Sequence, residues 1–414
     1  MSARTDTDYT RSFAGVPGAQ AGAVLEIDLA ALAANYQVLS RRAGTAECAA
    51  VVKGDAYGLG ADQVGPLLAR LGCRTFFVAH VGEGIALRQS LRQTVGQDHD
   101  RAEIYVLHGI LPGTEEDFLA HGLIPVLNTL EQLDLWARKS RAQISPTGAS
   151  GAGASGTGAL AAALHLDTGM NRLGLSADDA MALAAAPARL AGIDLRFLIS
   201  HLACADQPGH AMNPEQRQLF DRLRAALPPA PASLANSSAI FLGSDYHYDL
   251  VRPGVALYGV NPTPAQANPM REVVRLWGKI IQVREIDTPQ CVGYGATHRA
   301  TGPRRIATVP VGYADGYLRS LSGQGMGRLA GISVPVVGRV SMDLITLDVT
   351  EAPLDAAHPG ALVELIGGGG ETIDAVAGRA GTIGYEIMTA LGRRYHRRYL
   401  DATAAAGTEA VGDV

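Results

Sequence analysis

Short apolar runs alternate with helix-patterned segments from Val24 to about Gly259, and this alternation constrains the fold more than any other feature. The run Ala23–Ile27 predicts a strand, and Asp28 follows it as an N-cap residue for a helix. The apolar residues of that helix recur three or four positions apart, as a buried helix face requires: Leu29, Leu32, Tyr36 and Leu39. Strand and helix in turn indicate a parallel α/β fold, because parallel strands need a crossover between them.

Eight further apolar runs continue the strand pattern. They are Cys48–Val52, Thr75–Val78, Ile104–Leu107, Ile124–Leu127, Leu160–Leu166, Leu195–Ser200, Ala232–Leu234 and Leu250–Arg252. Helical segments fall between most of them, for example Asp62–Leu71, Leu130–Lys139, Ala177–Ala186 and Pro214–Ala226. With about 240 residues available, the sequence predicts an N-terminal (β/α)8 barrel of the TIM type. The alternative is a doubly wound open sheet, which would place a glycine fingerprint after the first strand, and none is there.

The character of the chain changes after the proline-rich stretch Asn261–Pro269. β-rich segments separated by Gly and Pro turns follow: Val273–Ile286, Arg305–Val311, Ser333–Val337, Leu344–Val349 and Leu362–Ile366. Helical signals are few before Tyr385–Leu391. We therefore predict a disordered leader over residues 1–22, a barrel domain over 23–262 and a mainly β domain over 263–414. Pro146–Gly158, almost wholly Gly, Ala, Ser and Thr, predicts a flexible surface insertion in the barrel.

Composition excludes several classes of protein. The 414 residues exceed what one hydrophobic core usually holds, which favours two domains. A net charge of −5 points to neither nucleic acid nor an anionic membrane as a partner, and no apolar run is long enough to span a bilayer. The four cysteines are widely spaced without a metal-binding pattern, so we expect small buried thiols, no metal and a cytoplasmic protein.

Lys53 closes the apolar run Cys48–Val52 and is followed by Gly-Asp-Ala-Tyr-Gly. In a barrel the reactive groups come from the carboxyl ends of the strands. Desolvation there lowers the pKa of an amine, and the neutral amine is the form that adds to a carbonyl or removes a proton. A lysine whose stem merely packs on the strand end is the alternative. The flanking glycines and tyrosine favour the reactive lysine, with Tyr57 in place to bond a phosphate.

Other strand ends carry polar residues. Gly254, in the turn Val251–Val255, lets backbone N–H groups approach an anion, and loops at the last barrel strands often bind phosphate. The segment Asn236–Ser238 follows the preceding strand and supplies further donors. His201 is either a packed core group or a stacking partner. Arg172 is either a salt-bridged structural residue or a partner for a carboxylate or phenolate.

These segments, in this order and spacing, resemble the alanine racemase family. The C-terminal half adds the motifs Gly293–Thr297, Val311–Gly316, Gly338–Asp343 and Gly384–Glu386. The resemblance runs from about Leu25 to Tyr399. It implies an eight-stranded α/β barrel followed by a β domain, pyridoxal 5'-phosphate as the cofactor and an amino acid as the substrate. It also implies a homodimer in which the second domain of one subunit closes the site of the other.

The resemblance also implies roles for single residues. Lys53 would carry the cofactor as an aldimine, and Arg252 would face its pyridine nitrogen. The remaining cofactor contacts would come from Tyr57, His201, Asn236, Ser237, Gly254, Val255 and Tyr385. Inversion at Cα needs a proton group on each face, so Lys53 would act on D-alanine and Tyr294 of the other subunit on L-alanine.

The substrate carboxylate would be held by Arg172 and by the backbone N–H of Met342, and Tyr313 would narrow the way in. Arg252 is a distinctive choice, because an arginine cannot accept a proton and discourages protonation of the pyridine nitrogen. It would thereby limit side reactions such as transamination.

The chain departs from the family pattern at several positions. Many members carry a carbamylated lysine where this chain has His165, so an imidazole hydrogen bond or an anion such as chloride would have to orient Arg172 instead. Ser341 stands where a cysteine is familiar. Gly54, Asp55 and Leu59 replace the Ala, Asn and His that are common after the lysine.

Three other functions compete with this interpretation. A racemase preferring serine or a broader range of amino acids differs by little, since one methylene gives only about 1–3 kcal/mol of discrimination. A decarboxylase on a related plan would need a C-terminal cysteine motif and an acid at the pyridine nitrogen, which Cys291 and Arg252 contradict. A cofactor-homeostasis protein would consist of the barrel alone. The sequence leaves open whether the enzyme would supply D-alanine for peptidoglycan or act in alanine catabolism.

Overall fold

The computed structural model describes residues 18–95, 102–143 and 158–400. Their contacts divide the chain into two compact units. The barrel unit comprises the described parts of Ala33–Leu257 together with Asn261–Pro269, and the β unit comprises residues 18–32, Tyr258–Val260 and residues 270–400. Residues 1–17 of the predicted leader (1–22) and residues 146–157 of the predicted insertion (146–158) lie outside the described residues.

Strands and helices alternate along the first part of the chain. The strands are β1 (Ala23–Asp28), β2 (Glu47–Cys48), β3 (Ala50–Val51), β4 (Thr75–Val78), β5 (Glu103–Val106), β6 (Leu123–Leu127), β7 (Leu160–His165), β8 (Ile193–Ile199), β9 (Ala232–Ser233) and β10 (Leu250–Val251). The helices are α1 (Leu29–Ala43), α2 (Lys53–Tyr57), α3 (Ala61–Arg70), α4 (Val81–Val95), α5 (Glu115–His121), α6 (Leu130–Gln143), α7 (Ala177–Ala185) and α8 (Met212–Ala226).

The strands of the barrel unit close into a cylinder. β3 to β9 form one parallel sheet in chain order, and β10 runs parallel to β2, which is separated from β3 only by Ala49. The ring closes between β9 and β10, where the N–H of Asp249 donates to the carbonyl of Ala232 over 3.0 Å. With β2 and β3 counted as one strand, the described residues of this unit give eight parallel strands. The predicted (β/α)8 barrel is confirmed.

The core of the barrel unit explains why its strands are continuous apolar runs. Every residue of β4 and of β6 is buried, as expected for parallel strands covered by helices on one side and facing the barrel interior on the other. Phe77 on β4 stacks on Tyr105 with ring centroids 5.0 Å apart, and Tyr105 meets Phe197 edge-on at 5.7 Å. The packed strands thereby fix the positions of the loops at their carboxyl ends.

β1 belongs to a sheet of the β unit and not, as the sequence predicts, to the barrel. The run Ala23–Ile27 was predicted as the first strand of the barrel, but β1 pairs antiparallel with residues 274–278 and parallel with residues 396–400 in a sheet of the β unit. The physical reason is that a fully buried apolar run fits either kind of sheet, and the barrel ring is complete without it. The predicted division at residue 263 remains a proposal.

The β unit contains the remaining strands and two short helices. The strands are β11 (Val274–Lys279), β12 (Gln282–Ile286), β13 (Cys291–Val292), β14 (His298–Arg299), β15 (Arg304–Val309), β16 (Met326–Leu329), β17 (Ile332–Pro335), β18 (Ile345–Asp348), β19 (Leu362–Ile366) and β20 (His396–Leu400). The helices are α9 (Ile373–Ala380) and α10 (Gly384–Ala390).

Two sheets organise the β unit. One has six strands in the order β17-β16-β19-β11-β1-β20, and the other has the antiparallel order β12-β15-β18. The predicted mainly β character of the C-terminal half is confirmed. Over the ranges that the structure describes, we find no helix with both the length and the apolar character of a membrane span.

Candidate active site

Lys53 begins a left-handed turn at the carboxyl end of β3. Gly54, Asp55, Ala56 and Tyr57 have φ angles of 64°, 55°, 53° and 57°. The left-handed region costs L-residues other than glycine about 1–2 kcal/mol each, so Asp55, Ala56 and Tyr57 in succession require support from other contacts. Within the turn, the N–H of Ala56 donates to the carbonyl of Val52 over 2.9 Å. Sustained left-handed backbone beside a reactive group is typical of a functional site.

Two carboxylates hold this turn in place, that of Glu83 from another element and that of Asp55 from within the turn. Glu83, in the first turn of α4, accepts the N–H of Gly54 at 2.8 Å through Oε1 and the N–H of Ala79 at 2.7 Å through Oε2. Asp55 Oδ1 accepts the N–H of Ala61 at 2.8 Å, which joins the turn to the start of α3. The direction in which Lys53 leaves the strand is therefore fixed by α3 and α4 as well as by β3.

The surroundings of Lys53 disfavour the protonated form of its amine. Burial and the neighbouring Arg172 guanidinium lower the pKa of Lys53, and the Glu83 carboxylate partly opposes them. Among the described residues, no hydrogen bond or salt bridge engages its Nζ. A neutral amine at a barrel mouth is the form that adds to a carbonyl or takes up a proton.

An anion cradle lies where the same turn ends. A Cβ on Gly254 would come within 2.2 Å of the hydroxyl oxygen of Tyr57, so only glycine leaves that hydroxyl in place. Ser237 Oγ accepts the N–H of Gly254 at 2.9 Å and that of Ala256 at 3.3 Å. The hydroxyl groups of Tyr57 and Ser237 therefore both lie beside Gly254, and a hydroxyl group is able to donate to an anion.

Asn236 uses its side chain within its own loop. Its Oδ1 accepts the N–H of Ala239 at 3.0 Å, and its Nδ2 lies 3.5 Å from the carbonyl of Leu202. These contacts hold the short helical turn that carries the Ser237 side of the cradle. The predicted contact of Asn236 with a cofactor stays a prediction.

Arg252 is a buried cation without a carboxylate partner among the described residues. Its guanidinium donates to the hydroxyl of Ser233 and the carbonyl of Ser200, and it lies over the ring of Phe77, 5.8 Å from the centroid. Burial lowers the pKa of Arg252 to about 10, so it keeps its charge near neutral pH. A buried donor of this kind suits an aromatic nitrogen lone pair, because it can donate but not accept.

The two histidines near Arg252 are held neutral. Burial, followed by the charge of Arg252, lowers the pKa of His165 to about 4. The same causes lower the pKa of His201 well below its ordinary value. His201 follows β8, and its carbonyl accepts the side-chain amide of Gln216 at 3.0 Å. Positive charge at this mouth therefore comes from the arginines, which favours anionic ligands.

Arg172 stands on a loop built around one carboxylate oxygen. Oδ1 of Asp167 accepts the N–H groups of Gly169, Met170 and Asn171 at 2.9, 3.0 and 3.1 Å. Leu175 closes the loop, because its N–H donates to the carbonyl of His165 and its carbonyl accepts from Asp167, both at 2.8 Å. Arg172 itself is exposed, so its guanidinium is accessible to a ligand.

Two predicted substrate residues, Tyr313 and Met342, meet in the β unit. The N–H of Ala314 donates to the carbonyl of Met342 over 3.0 Å. A Cβ on Gly312 would come within 2.3 Å of that carbonyl, so the close approach of the two loops requires glycine. Tyr313 and Met342 are 42% and 54% exposed, which leaves both side chains on the surface of the chain.

Arg394 ties these two loops together. It donates to Asp315 through Nε (2.6 Å) and a terminal nitrogen (2.8 Å), and to Asp343 over 2.7 Å. Asp315 is buried and also accepts the N–H of Gly312 at 2.9 Å. One guanidinium therefore fixes the turn of Tyr313 against the loop of Met342.

Tyr294 and Tyr385, also in the β unit, differ in the exposed fraction of their side chains. Tyr294 begins a short helical turn and is 73% exposed, the larger exposure of the two. Tyr385 stands in the first turn of α10 and is 40% exposed. The side chain of Tyr294 is therefore largely open to solvent on this chain.

Two family models match the chain. The model for Alanine racemase, N-terminal domain, matches residues 27–262, and the model for Alanine racemase, C-terminal domain, matches residues 273–399. The chain belongs to the alanine racemase family. The decarboxylase and barrel-only alternatives are thereby set aside.

Individual relatives agree with this membership. The alanine racemase of Rhodospirillum rubrum is 50% identical over 381 residues, covering 92% of this chain and 96% of the relative. A catabolic alanine racemase of Mesorhizobium japonicum is 48% identical over 385 residues, covering 93% and 95%. The crystal structure of alanine racemase from Bartonella henselae with covalently bound pyridoxal phosphate matches with a TM-score of 0.83 at 36% identity, covering 92% of this chain and 100% of that one.

Several polar residues of this alanine racemase family member were not identified as candidate site residues from the sequence. Glu83, Asn128, His80 and His108 all follow barrel strands closely, and the strand-end rule that singled out Lys53 could have found them. His80 and His108 lie with their Nδ1 atoms 3.2 Å apart. Arg394 carried no such signal, because its partners are 51 and 79 residues away in the chain.

Proposed function

We propose that this chain interconverts L-alanine and D-alanine with pyridoxal phosphate as its cofactor. One observation carries the proposal: a left-handed turn holds a lysine with a lowered pKa at one end and, at the other, a tyrosine hydroxyl in an anion cradle. A cofactor with an aldehyde and a phosphate needs both kinds of group. Membership of the alanine racemase family supports the same reaction.

The residues present fit pyridoxal phosphate. The cradle of Tyr57, Ser237, Gly254 and Val255 suits a phosphate group. Arg252 offers a buried donor for the pyridine nitrogen. A relative from Bartonella henselae is described with pyridoxal phosphate covalently bound, and Lys53 is the residue that we assign to that attachment here. His201 and Tyr385 complete the proposed set of cofactor contacts.

Bound pyridoxal phosphate delocalises the negative charge that develops at Cα of the amino acid. The chain must supply the proton transfers. Lys53 Nζ, as the neutral amine, is suited to remove and return the proton on one face, that of D-alanine. The hydroxyl of Tyr294 would do the same on the face of L-alanine. Two bases are needed, because a single base returns the proton to the side from which it came.

The exposure of the second base supports a homodimer. Tyr294 is 73% exposed, and Tyr313 and Met342 are also exposed in the β unit. A shared site would place these residues against the barrel mouth of a second copy of the chain, with two-fold symmetry making both sites alike. Arg172 of one subunit and the backbone N–H of Met342 of the other would then hold the substrate carboxylate.

The physiological setting is also a proposal. Cys48, Cys73, Cys204 and Cys291 are all free, which suits a reducing cytoplasm. One relative is named for a catabolic role and another carries no such label, so supply of D-alanine for peptidoglycan and alanine catabolism both stand.

Comparison of kcat/KM for L-alanine and L-serine tests the substrate preference. A larger kcat/KM for L-serine would contradict the assignment of alanine as the substrate.

The experiment begins with Lys53 and Tyr294. Borohydride reduction should add the mass of reduced pyridoxal phosphate to the peptide containing Lys53, and Lys53→Ala should lose both the adduct and racemisation. Tyr294→Phe should keep the adduct and lose about 10²–10⁴-fold in kcat, the usual contribution of a general acid or base. Unchanged activity in Tyr294→Phe would refute the two-base assignment.

Mixing the two variants tests the shared site. In a mixed dimer of Lys53→Ala and Tyr294→Phe subunits, one site combines both defects and the other has neither. Re-equilibrated equal mixtures should therefore recover about a quarter of the wild-type activity, because half of the dimers are mixed and each has one intact site. No recovery, with mixed dimers demonstrated by tagging, would place Lys53 and Tyr294 of one site in the same chain.

A further inference from the structure

Glu83 connects the lysine turn to the end of the next barrel strand. Its Oε1 accepts the N–H of Gly54 at 2.8 Å, and its Oε2 accepts the N–H groups of Ala79 at 2.7 Å and His80 at 3.2 Å. Both carboxylate oxygens are therefore used by backbone amides. The residues joined in this way lie 29 positions apart in the sequence.

Ordinary helix capping accounts for only part of this arrangement. An acidic residue in the first helical turn often bonds the backbone N–H just before the helix, and the contacts of Oε2 with Ala79 and His80 are of that kind. The contact of Oε1 with Gly54 is not, because Gly54 belongs to another element. A capping residue needs one oxygen, and Glu83 uses the second on the peptide that follows Lys53.

The position of Gly54 explains why this contact can affect the direction of Lys53. The bonded N–H belongs to the peptide directly after Lys53, so holding it sets the plane in which the lysine leaves β3. The next four residues continue as the left-handed turn and end at Tyr57, whose hydroxyl lies against Gly254 in the anion cradle. A shift of the peptide between Lys53 and Gly54 would therefore move both Lys53 and Tyr57.

We propose that Glu83 is a positioning residue of the site, whose carboxylate sets the directions of Lys53 and Tyr57 by accepting the N–H groups of Gly54 and Ala79 together. The inference rests on the proposed function, in which these two side chains hold the aldehyde and phosphate ends of pyridoxal phosphate. It adds a residue that touches neither substrate nor cofactor.

The charge of Glu83 gives the proposal an independent readout. The groups that act on the Lys53 amine are Arg172, which disfavours its protonated form, and Glu83, which favours it. His108 and His201 also feel the lysine charge. Removing the carboxylate leaves the cations unopposed, so the pKa of Lys53 should fall further.

The test compares Glu83→Gln and Glu83→Asp with a matched control, Glu115→Gln. Glu115 also stands in the first turn of a barrel helix and accepts a backbone N–H, that of Gly113 at 2.7 Å, but it is not bonded to the lysine turn. Each full-length chain, freed of cofactor and checked by circular dichroism, is titrated with pyridoxal phosphate. The pH dependence of reductive methylation at Lys53 is followed by mass spectrometry.

Glu83→Gln should bind pyridoxal phosphate at least tenfold more weakly and methylate Lys53 with a midpoint at lower pH, because an amide cannot accept from both sides. Glu83→Asp keeps the charge but is shorter, so it should restore the midpoint and not the affinity. Glu115→Gln should match the wild type in both. Wild-type affinity in Glu83→Gln, or in Glu83→Asp if the first variant fails to fold, would overturn the inference.

Failure of the proposed function would look different. If Lys53→Ala racemised alanine as fast as the wild type, Lys53 would lose its catalytic assignment whatever Glu83 does. The methylation profile of Lys53 would still report whether Glu83 holds and tunes that amine.

Discussion

The protonation of His165 follows from the hydrogen bonds of a neighbour. Asn128 donates through Nδ2 to the carbonyls of Leu107 and Val126, both at 2.9 Å, which uses both of its amide hydrogens. Its Oδ1 therefore faces Nδ1 of His165 at 2.8 Å and can only accept. The neutral imidazole must carry its hydrogen on Nδ1, and Nε2 keeps a lone pair. The chain thus presents a neutral acceptor at the position where many members carry a carbamylated lysine.

His165 should make stability depend on pH in a defined window. Its pKa is about 4 in the folded chain and about 6.5 in an unfolded one, so between these values the unfolded state binds more protons. Stability is therefore lost as pH falls from about 6.5 toward 4. Because His165→Gln removes this titration, its unfolding midpoint in urea should fall less than that of the wild type over the same window.

The pH prediction has a direct companion measurement. Nitrogen NMR of histidine-labelled protein, with His165→Gln used for assignment, should show Nδ1 of His165 protonated and Nε2 bare at neutral pH. Finding the hydrogen on Nε2 would reverse the assignment of the Asn128 amide. Equal pH dependence of stability in variant and wild type would show that His165 titrates normally.

Single site residues could be predicted from the sequence only where their position at the end of a strand was enough to identify them. Lys53, Tyr57 and Gly254 could be placed at the barrel mouth, because each follows an apolar strand run. The left-handed turn could not be predicted, since Ala56 and Tyr57 have no preference for that conformation. The contacts of Glu83 and Asn128 depend on which atoms meet across distant segments, and a single sequence does not show that.

At the scale of elements, Arg394 couples two loops that the proposed function assigns to the substrate. Replacing it by methionine keeps an unbranched stem and removes the bonds to Asp315 and Asp343. We expect Arg394→Met to raise KM for alanine several-fold with a smaller effect on kcat, since the loop of Met342 would be less fixed. Stability should fall by about 1–3 kcal/mol, toward the lower value because the arginine is half-exposed.

The matched control for Arg394 is Arg189→Met. Arg189 also bonds one carboxylate, Asp134, through two nitrogens at 3.1 and 2.7 Å, but it lies on the barrel unit away from any assigned residue. It should leave KM unchanged. A KM for Arg394→Met equal to that of the wild type in steady-state assays would show that the two loops hold their geometry without it.

The strands were easier to predict from the sequence than the neighbouring strands with which they pair. The barrel strands were readable because parallel strands with two covered faces are continuous apolar runs bounded by helical patterns. β1 has the same pattern and belongs to the other sheet, since its neighbours are β11 and β20, hundreds of residues away. A local pattern fixes the kind of element, whereas the pairing of distant strands depends on the whole chain.

At the scale of the whole molecule, β1 makes the β unit discontinuous in sequence. Leu25 on β1 is fully buried, and its replacement by alanine should cost about 2–5 kcal/mol. The β unit should report this loss through Trp277, which is paired with Val24 and bonds Glu26 at 2.8 Å. In Trp136→Phe protein, where Trp277 is the remaining tryptophan, Leu25→Ala should lower the fluorescence midpoint in urea.

The control is Leu133→Ala, an equally buried substitution on α6 of the barrel unit. It is followed through Trp136, also on α6, in Trp277→Phe protein. An effect of Leu25→Ala on the Trp136 signal with none on Trp277 would contradict the assignment of β1 to the sheet of the β unit.

The pairing of β1 also has a consequence during synthesis. β1 is synthesised before its parallel neighbour β20, which ends at Leu400. At about 5–20 residues per second, the strand waits on the order of half a minute for that neighbour. Throughout the wait, the edge of β1 that β20 later covers stays unpaired. An exposed apolar strand edge is a template for pairing with other chains, so this edge favours aggregation until translation is nearly complete.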